Sequence, residues 1–299
     1  MYQIEVRGYY LAEFATNLRN KPKQMKDVIK IRELLYSKYD TFEKENSEWL
    51  ILNLLHELRV MTATQILLLL NQEFPIGKSS VYRRLAALIK LEMIDFIQIQ
   101  EEENQRYFYL TKKGHNSIGG IYSFPKVPEY NLKHHIEVTN YLIESIHLAK
   151  TKPTFLLAQS ERRQMYEKKD MSKAKKGTLF HVSDYILRFE NKLAEVSDWH
   201  FEIELTLKSQ NRYTRAIFPK YLRVLTQKKN AQLVYVTPSN IIYNSLDTFK
   251  EYFMLKQQDE KLKIDPTAFD RLHIVSSNEF TSVLERMLDE NDFINERKS

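Results

Sequence analysis

Apolar residues recur at helical spacing through much of the first 90 positions and at alternate positions through much of the rest. From Lys23 to Tyr39 the apolar set Val28, Ile31, Leu34 and Leu35 predicts a helix. Ser47 stands as an N-cap before EWLILNLLHELR and Thr62 before ATQILLLLN, which predicts two more helices. After the loop QEFPIG, Lys78 or Ser79 opens a further helix, SSVYRRLAALIKLEM. The β-rich runs IDFIQIQ and QRYFYLTKKG, around the polar tip EEEN, predict a hairpin. The segment SFPKVPEY, Ser123 to Tyr130, holds two prolines that disfavour helix and mark an extended connector.

Beyond the connector, strands and helices alternate. A helix is expected over LKHHIEVTNYLIESIHLAK and a strand over TFLLAQ, followed by a basic loop, SERRQMYEKKDMSKAKKG. TLFHVSDYILRFE and SDWHFEIELTLKS predict a hairpin. A helix from about Asn211 to Lys229, the strand AQLVYVTP, another helix, the strand LHIVSS and a last helix complete the chain.

Three helices followed by a hairpin is the order of a winged helix-turn-helix. The later order of helix, three strands, helix and strand is that of the restriction-endonuclease-like fold, a mixed α/β (α+β) domain; other mixed domains share it loosely. The expected organisation is therefore residues 1–122 as a helical segment and winged helix, 123–130 as linker, and 131–299 as an endonuclease-like domain.

The last helix before the hairpin divides into two faces. Val81, Leu85, Leu88 and Ile89 point inward, while Lys78, Ser79, Ser80, Tyr82, Arg83 and Arg84 lie near its start, where base edges of double-stranded DNA are met. The plain alternative is a packing module with solvated arginines, since winged helices also serve protein interactions. The acidic tip Glu101 to Glu103 argues against the hairpin lying on phosphate. In the basic loop, Lys173, Lys175 and Lys176 are candidate phosphate contacts, as is Arg212 farther on.

Composition narrows the classes. Hydrophobic residues at 43% with 28% charged residues are globular proportions. The absence of cysteine removes disulfides, thiolate metal sites and cysteine nucleophiles, and is compatible with a reducing compartment. Net charge of +6 tilts the expectation toward an anionic partner. No apolar run reaches the roughly 20 residues of a membrane span, and MYQIEVRGYYLAEF lacks the pattern of a signal peptide, so a cytoplasmic protein without membrane partners is expected. Phosphate-binding glycine loops, His-Glu-x-x-His and nucleophile elbows are all missing from the sequence, which disfavours a small-molecule enzyme.

The stretch FEIELTLKSQNRY, Phe201 to Tyr213, and the strand it pairs with in the hairpin carry the candidate chemistry. With the turn near Leu193 and Ala194, Asp184 is expected opposite Glu204, and Ile186 opposite Glu202. Period-two alternation then puts Tyr185, Leu187 and Phe189 with Phe201, Ile203, Leu205 and Leu207 on one face. Asp184, Ile186 and Arg188 share the other with Glu202, Glu204, Thr206 and Lys208. Opposed carboxylates need compensation, which Arg188, Lys208 or a divalent metal could supply. Mg²⁺ or Mn²⁺ on Asp184 and Glu204, with Glu202 nearby and Lys208 stabilising a charged phosphorane, would make a nuclease site. A polar face held by Arg188 and Lys208 is the alternative.

LKHHIEV, SERRQ, VSDYIL, FEIELTLKSQNRY and FPKYLRVL come in an order that resembles plasmid replication-relaxation proteins, over roughly Ser47 to Pro238. Such proteins of mobile elements pair a winged helix with an endonuclease-like domain. The resemblance implies His134 or His135, Glu161, Asp184, Glu202, Glu204, Lys208, Arg212 and Tyr221 as positions of interest. It further implies DNA binding and nicking in replication or transfer, with replication or mobilisation proteins as partners. The familiar nuclease pattern places lysine two residues after the acidic ligand, where this chain has Glu204 or Thr206. The alternative function is a non-catalytic transcriptional or copy-number regulator whose second domain forms a homodimer or holds a partner.

Overall fold

The computed structural model describes residues 35–38, 46–99, 105–120, 122–171, 182–191, 193–260 and 264–297. They fall into two units, with the division after Val127, inside the proline-bearing connector. Strand β1 (Tyr36–Ser37) precedes the described residues of the first unit in the chain yet belongs to the second, where it pairs antiparallel with β5 (Phe155–Ser160). This corrects the expected helix over 23–39 at its described end. Tyr36 stacks on Phe155 with ring centroids 5.2 Å apart, and Lys38 Nζ donates to the Pro153 carbonyl at 2.8 Å. The rest of that expected helix, up to residue 34, lies outside the described residues.

The first unit contains α1 (Ser47–Leu58), β2 (Val60–Thr62), α2 (Ala63–Glu73), α3 (Lys78–Lys90), β3 (Ile94–Ile99), β4 (Gln105–Leu110) and α4 (Lys112–Ser117). Arg59 takes a positive φ of 67°, which turns the chain directly from α1 into β2. A capping box then starts α2: Gln65 N–H donates to Thr62 Oγ1 at 3.1 Å, and Thr62 N–H to Gln65 Oε1 at 3.0 Å. β4 lies between β2 and β3 in an all-antiparallel sheet. β2 is three residues long, too short for any periodicity to announce it. α3 buries Val81, Leu85 and Leu88. Nearby, Tyr122 donates its hydroxyl to buried Glu57 at 2.7 Å, which gives that carboxylate a partner, and its ring stacks on His56.

The second unit is a mixed α/β domain on a six-stranded sheet ordered β1-β5-β6-β7-β8-β9, with β6 (Tyr185–Glu190), β7 (Val196–Ile203), β8 (Gln232–Thr237) and β9 (Leu272–Ser276). Strands β1 to β7 run antiparallel to their neighbours; β7, β8 and β9 run parallel. On one face, α5 (Leu132–Ala149) and α10 (Phe280–Arg297) pack over the odd-numbered aromatics. Tyr185 stacks on its cross-strand partner Phe201 at 4.5 Å, and Phe280 meets Phe201 edge-on. Burying each such side chain contributes roughly 1.5–3 kcal/mol. The other face is covered by α8 (Phe218–Gln227) and α9 (Asn240–Glu260), whose Phe218, Tyr221, Leu222, Leu246 and Phe253 share a core with Leu233 and Tyr235. A short α7 (Gln210–Arg212) enters α8 through a π turn, Tyr213–Ile217.

Part of the basic segment expected as a loop is a helix, α6 (Glu161–Met171). Ser160 Oγ accepts the Arg163 N–H at 3.0 Å, Glu161 sits in the first turn, and Arg163 pairs with Glu167 at 2.7 Å one turn on. Local capping and an i,i+4 pair thus outweigh the segment's low apolar content. Lys173, Lys175 and Lys176 lie outside the described residues, as does the acidic tip of the β3–β4 hairpin.

Candidate active site

β6 and β7 pair with Tyr185 opposite Phe201, Ile186 opposite His200 and Arg188 opposite Asp198. The register is two residues away from the expected one. The cause is the turn: Asn191 Oδ1 accepts the N–H groups of Leu193 and Glu195, each at 2.9 Å, and Ala194 takes a φ of 59°. Hydrogen bonding by Asn191 centres the turn on Leu193. Because the shift is even, the side chains within the paired strands, up to Ile203, keep their predicted faces, whereas Leu205 and Leu207, expected on the apolar face, lie beyond the end of β7. Asp184 consequently approaches the Glu202–Ile203 end of β7 rather than lying opposite Glu204.

Asp184 is fixed from several sides. Its N–H donates to the Phe201 carbonyl at 3.0 Å, and its Oδ2 accepts the Ile203 N–H at 2.8 Å. Its Oδ1 lies 3.3 Å from His134 Nε2 on α5. Just before it, buried Ser183 is clamped by buried Gln164 of α6: Ser183 N–H donates to Gln164 Oε1 at 3.1 Å, and Gln164 Nε2 donates to the Ser183 carbonyl at 3.0 Å. Burial disfavours imidazolium at His134, but the Asp184 bond and the charges of Asp184, Glu204 and Glu161 leave its pKa raised.

The alternation ends at Glu204. Its N–H donates to the Val236 carbonyl at 2.8 Å, after which the chain leaves the sheet and Thr206 and Leu207 are exposed. That exit brings Lys208 back as an ion-pair partner of Glu204. The Tyr213 hydroxyl, carried by the π turn, donates to Glu204 Oε2 at 2.9 Å. Glu202 faces α8 and meets the Tyr221 hydroxyl, which also bonds Tyr235. Burial, followed by the Asp184 charge, pushes the Glu202 carboxyl well above the usual carboxylate range. Burial and Glu202 likewise raise Tyr221.

Asp184, Glu202, Glu204 and Lys208 therefore do meet at one end of the sheet, together with His134. Arg188 does not join them; it donates to Asp198 at 2.7 Å at the opposite end of the strands. Arg212 is exposed on α7. Tyr213 and Tyr235 were not singled out by sequence, and Tyr221 was singled out only through the resemblance. A tyrosine where phenylalanine would fill the same space is the signal that could have found them, because a buried hydroxyl seeks a polar partner.

The chain matches no protein family, curated protein or solved structure.

A divalent ion is tested against this geometry. Among the described residues no three His, Asp or Glu side chains gather as a metal-holding group. Both Asp184 oxygens face protein donors or His134, Glu204 is held by Lys208 and Tyr213, and burial works against charge on Glu202. A resident Mg²⁺ or Mn²⁺ would need these oxygens to turn away from their present partners toward the ion.

In the first unit, Lys78, Ser79, Tyr82 and Arg83 of α3 are exposed. Arg83 Nη2 donates to Ser80 Oγ at 3.2 Å, and Lys78 Nζ lies 5.9 Å from the Tyr82 ring centroid. Arg84 differs: it is half-buried and pairs with Glu48 of α1. Among the described residues, no helix is long and apolar enough to cross a membrane.

Proposed function

We propose that the chain binds double-stranded DNA for a plasmid or other mobile element, acting in its replication, relaxation or transfer. In this reading the first unit is a winged helix-turn-helix and the second a restriction-endonuclease-like domain, as the resemblance to plasmid replication-relaxation proteins implies. The observation that carries it is the exposed start of α3. Lys78, Ser79, Tyr82 and Arg83 stand opposite the buried Val81, Leu85 and Leu88, so they are spare donors on a helix whose packing is already made. Such a helix suits the major groove, where arginine reaches guanine edges and lysine reaches phosphate.

Fluorescence anisotropy with labelled duplexes tests this. Arg83→Ala is expected to weaken binding by about 1–3 kcal/mol and to relax sequence preference at one position, while Lys78→Ala weakens all sequences alike. Arg84→Ala is expected to act on folding instead, through Glu48. Unchanged affinity in both the Arg83 and Lys78 variants would remove α3 from the interface.

A specific observation favours the non-catalytic version of this function: the chain's own groups hold Asp184, Glu202 and Glu204. Supercoiled DNA incubated with Mg²⁺ or Mn²⁺ is then expected to stay intact. Metal-dependent nicking that disappears in Asp184→Ala/Glu204→Ala would establish the second domain as a nuclease instead.

A further inference from the structure

From Leu205 to Leu246 the chain contains no aspartate or glutamate, yet it holds Lys208, Arg212, Arg215, Lys220, Arg223, Lys228 and Lys229. The segment spans α7, the π turn, α8 and β8. Its inward face is set by buried Tyr213, Phe218, Tyr221, Leu222 and Leu225. Arg212, Arg215 and Arg223 are exposed on the outward side. Lys208, at the head of the same segment, is tied to Glu204, and Lys228 is tied to Asp198 at 3.2 Å. Among the described residues the guanidinium groups of the three arginines have neither an ion pair nor a hydrogen bond.

This is an unusual way to solvate a helix face. Ordinary exposed helices intersperse acids and bases, and like charges three residues apart cost a few tenths of a kcal/mol. Arg212 and Arg215 accept that repulsion without a compensating carboxylate on their own segment. Arginine also carries a planar fork suited to phosphate. From Arg212 to Arg223 a helix rises roughly 16 Å, about five nucleotides of one strand at about 3.4 Å each.

We propose that the outer face of α7 and α8 is a second nucleic-acid site, on which Arg212, Arg215 and Arg223 track a phosphodiester backbone toward Lys208 and the carboxylate cluster. The site reads charge and not sequence, because long side chains on an exposed face meet phosphates and leave base edges untouched. It rests on the reading of the protein as one that handles DNA, and extends it by giving the second unit its own grip.

The test uses the full chain with labelled duplex and single-stranded oligonucleotides of unrelated sequence, titrated across salt. Arg212→Gln/Arg215→Gln/Arg223→Gln is expected to lower affinity at least tenfold at low salt. It should also flatten the slope of log K against log salt by about 2.7 on duplex or about 2 on single strands. The strand type showing the change identifies the form of nucleic acid bound. Arg286→Gln, on α10 over the opposite face of the sheet, should shift affinity less than twofold. Melting temperature is followed in parallel, and Arg215→Gln alone, expected to flatten the slope by about 0.9 on duplex, covers a misfolded triple variant. Unchanged affinity and slope, in protein whose binding still depends on Arg83, would overturn this site and leave the α3 reading standing. Loss in the triple variant with no dependence on Arg83 or Lys78 would do the reverse. A wild-type chain that binds neither strand type would overturn both.

Discussion

The two ends of the β6–β7 hairpin handle buried charge in opposite ways. At the turn-proximal end, Asp198 faces Arg188 across the ladder at 2.7 Å, with Lys228 joining at 3.2 Å, and the opposite charges hold the Asp198 carboxyl below its usual range although burial works against it. At the far end, Asp184, Glu202 and Glu204 are like charges; His134 and Lys208 face two of them, and burial works against charge on Glu202. One sheet, one pair of strands and one burial regime give a settled pair at one end and a surplus of acid at the other. A surplus that the fold must hold down with helices from both faces costs stability locally, and such costs are concentrated where proteins do their work.

Breaking the settled end should have the larger effect. Asp198→Asn leaves the Arg188 guanidinium half-buried without its counter-charge, and urea denaturation is expected to show a loss of about 3 kcal/mol. A loss under about 1 kcal/mol would mean that water already satisfies Arg188 and that the two ends differ less than their geometry suggests. Gln164→Ala comes next. It strips buried Ser183 of its clamp and should cost about 2 kcal/mol. It should also loosen the Asp184 position, readable as faster amide exchange at Asp184 and Ile203.

The smallest effect has the opposite sign. Glu202→Gln keeps an acceptor for Tyr221 and removes the charge that burial penalises, so stability at neutral pH should be unchanged or higher by up to about 1 kcal/mol. The pH dependence separates the ends. Glu202 binds its proton more tightly folded than unfolded, so it withdraws stability as pH rises above the ordinary carboxylate value of about 4.5. Asp198 binds its proton less tightly when folded. Its contribution is complete above about 3.8 and is lost as pH falls through its lowered value. The stability difference between Glu202→Gln and wild type should therefore widen from pH 4 toward pH 8, and that for Asp198→Asn should shrink on acidification below pH 4. A flat Glu202→Gln difference would show that Glu202 is ionised in the folded protein.

The sequence shows period and spacing more clearly than it shows reach. The face that each residue of β6 and β7 occupies follows from alternation alone, and the helices α1 to α3 follow from apolar spacing; of their caps the expected one forms at Thr62, whereas Ser47 lies inside α1 behind an Asn46 N-cap without a side-chain bond, and Gly77 precedes α3. The register does not, because it depended on which side chain would organise the turn, and Asn191 moved it by two residues. Nor could alternation show where the strand stops: beyond Glu204 the pattern continues in the sequence while the chain bends away, and that bend, with the π turn after it, places Lys208 and Tyr213 on Glu204. Tyr221 sits at a core position by helical spacing and is indeed buried; only its hydroxyl, invisible to a count of apolar positions, makes it part of the site.

The two-residue strand β1 makes the second domain discontinuous in sequence. Its edge partner comes from before the described residues of the first unit, so residues 46–127 stand between β1 and the rest of the sheet. A clone cut at Pro128 would look complete by its six helices and five remaining strands, yet it would leave the outer side of β5 without the β1 segment that covers part of it. An uncovered strand edge invites pairing with another chain. Dividing this protein at its connector would thus produce one tidy piece and one that self-associates, and the short segment around Tyr36 is what a well-behaved fragment would need to keep.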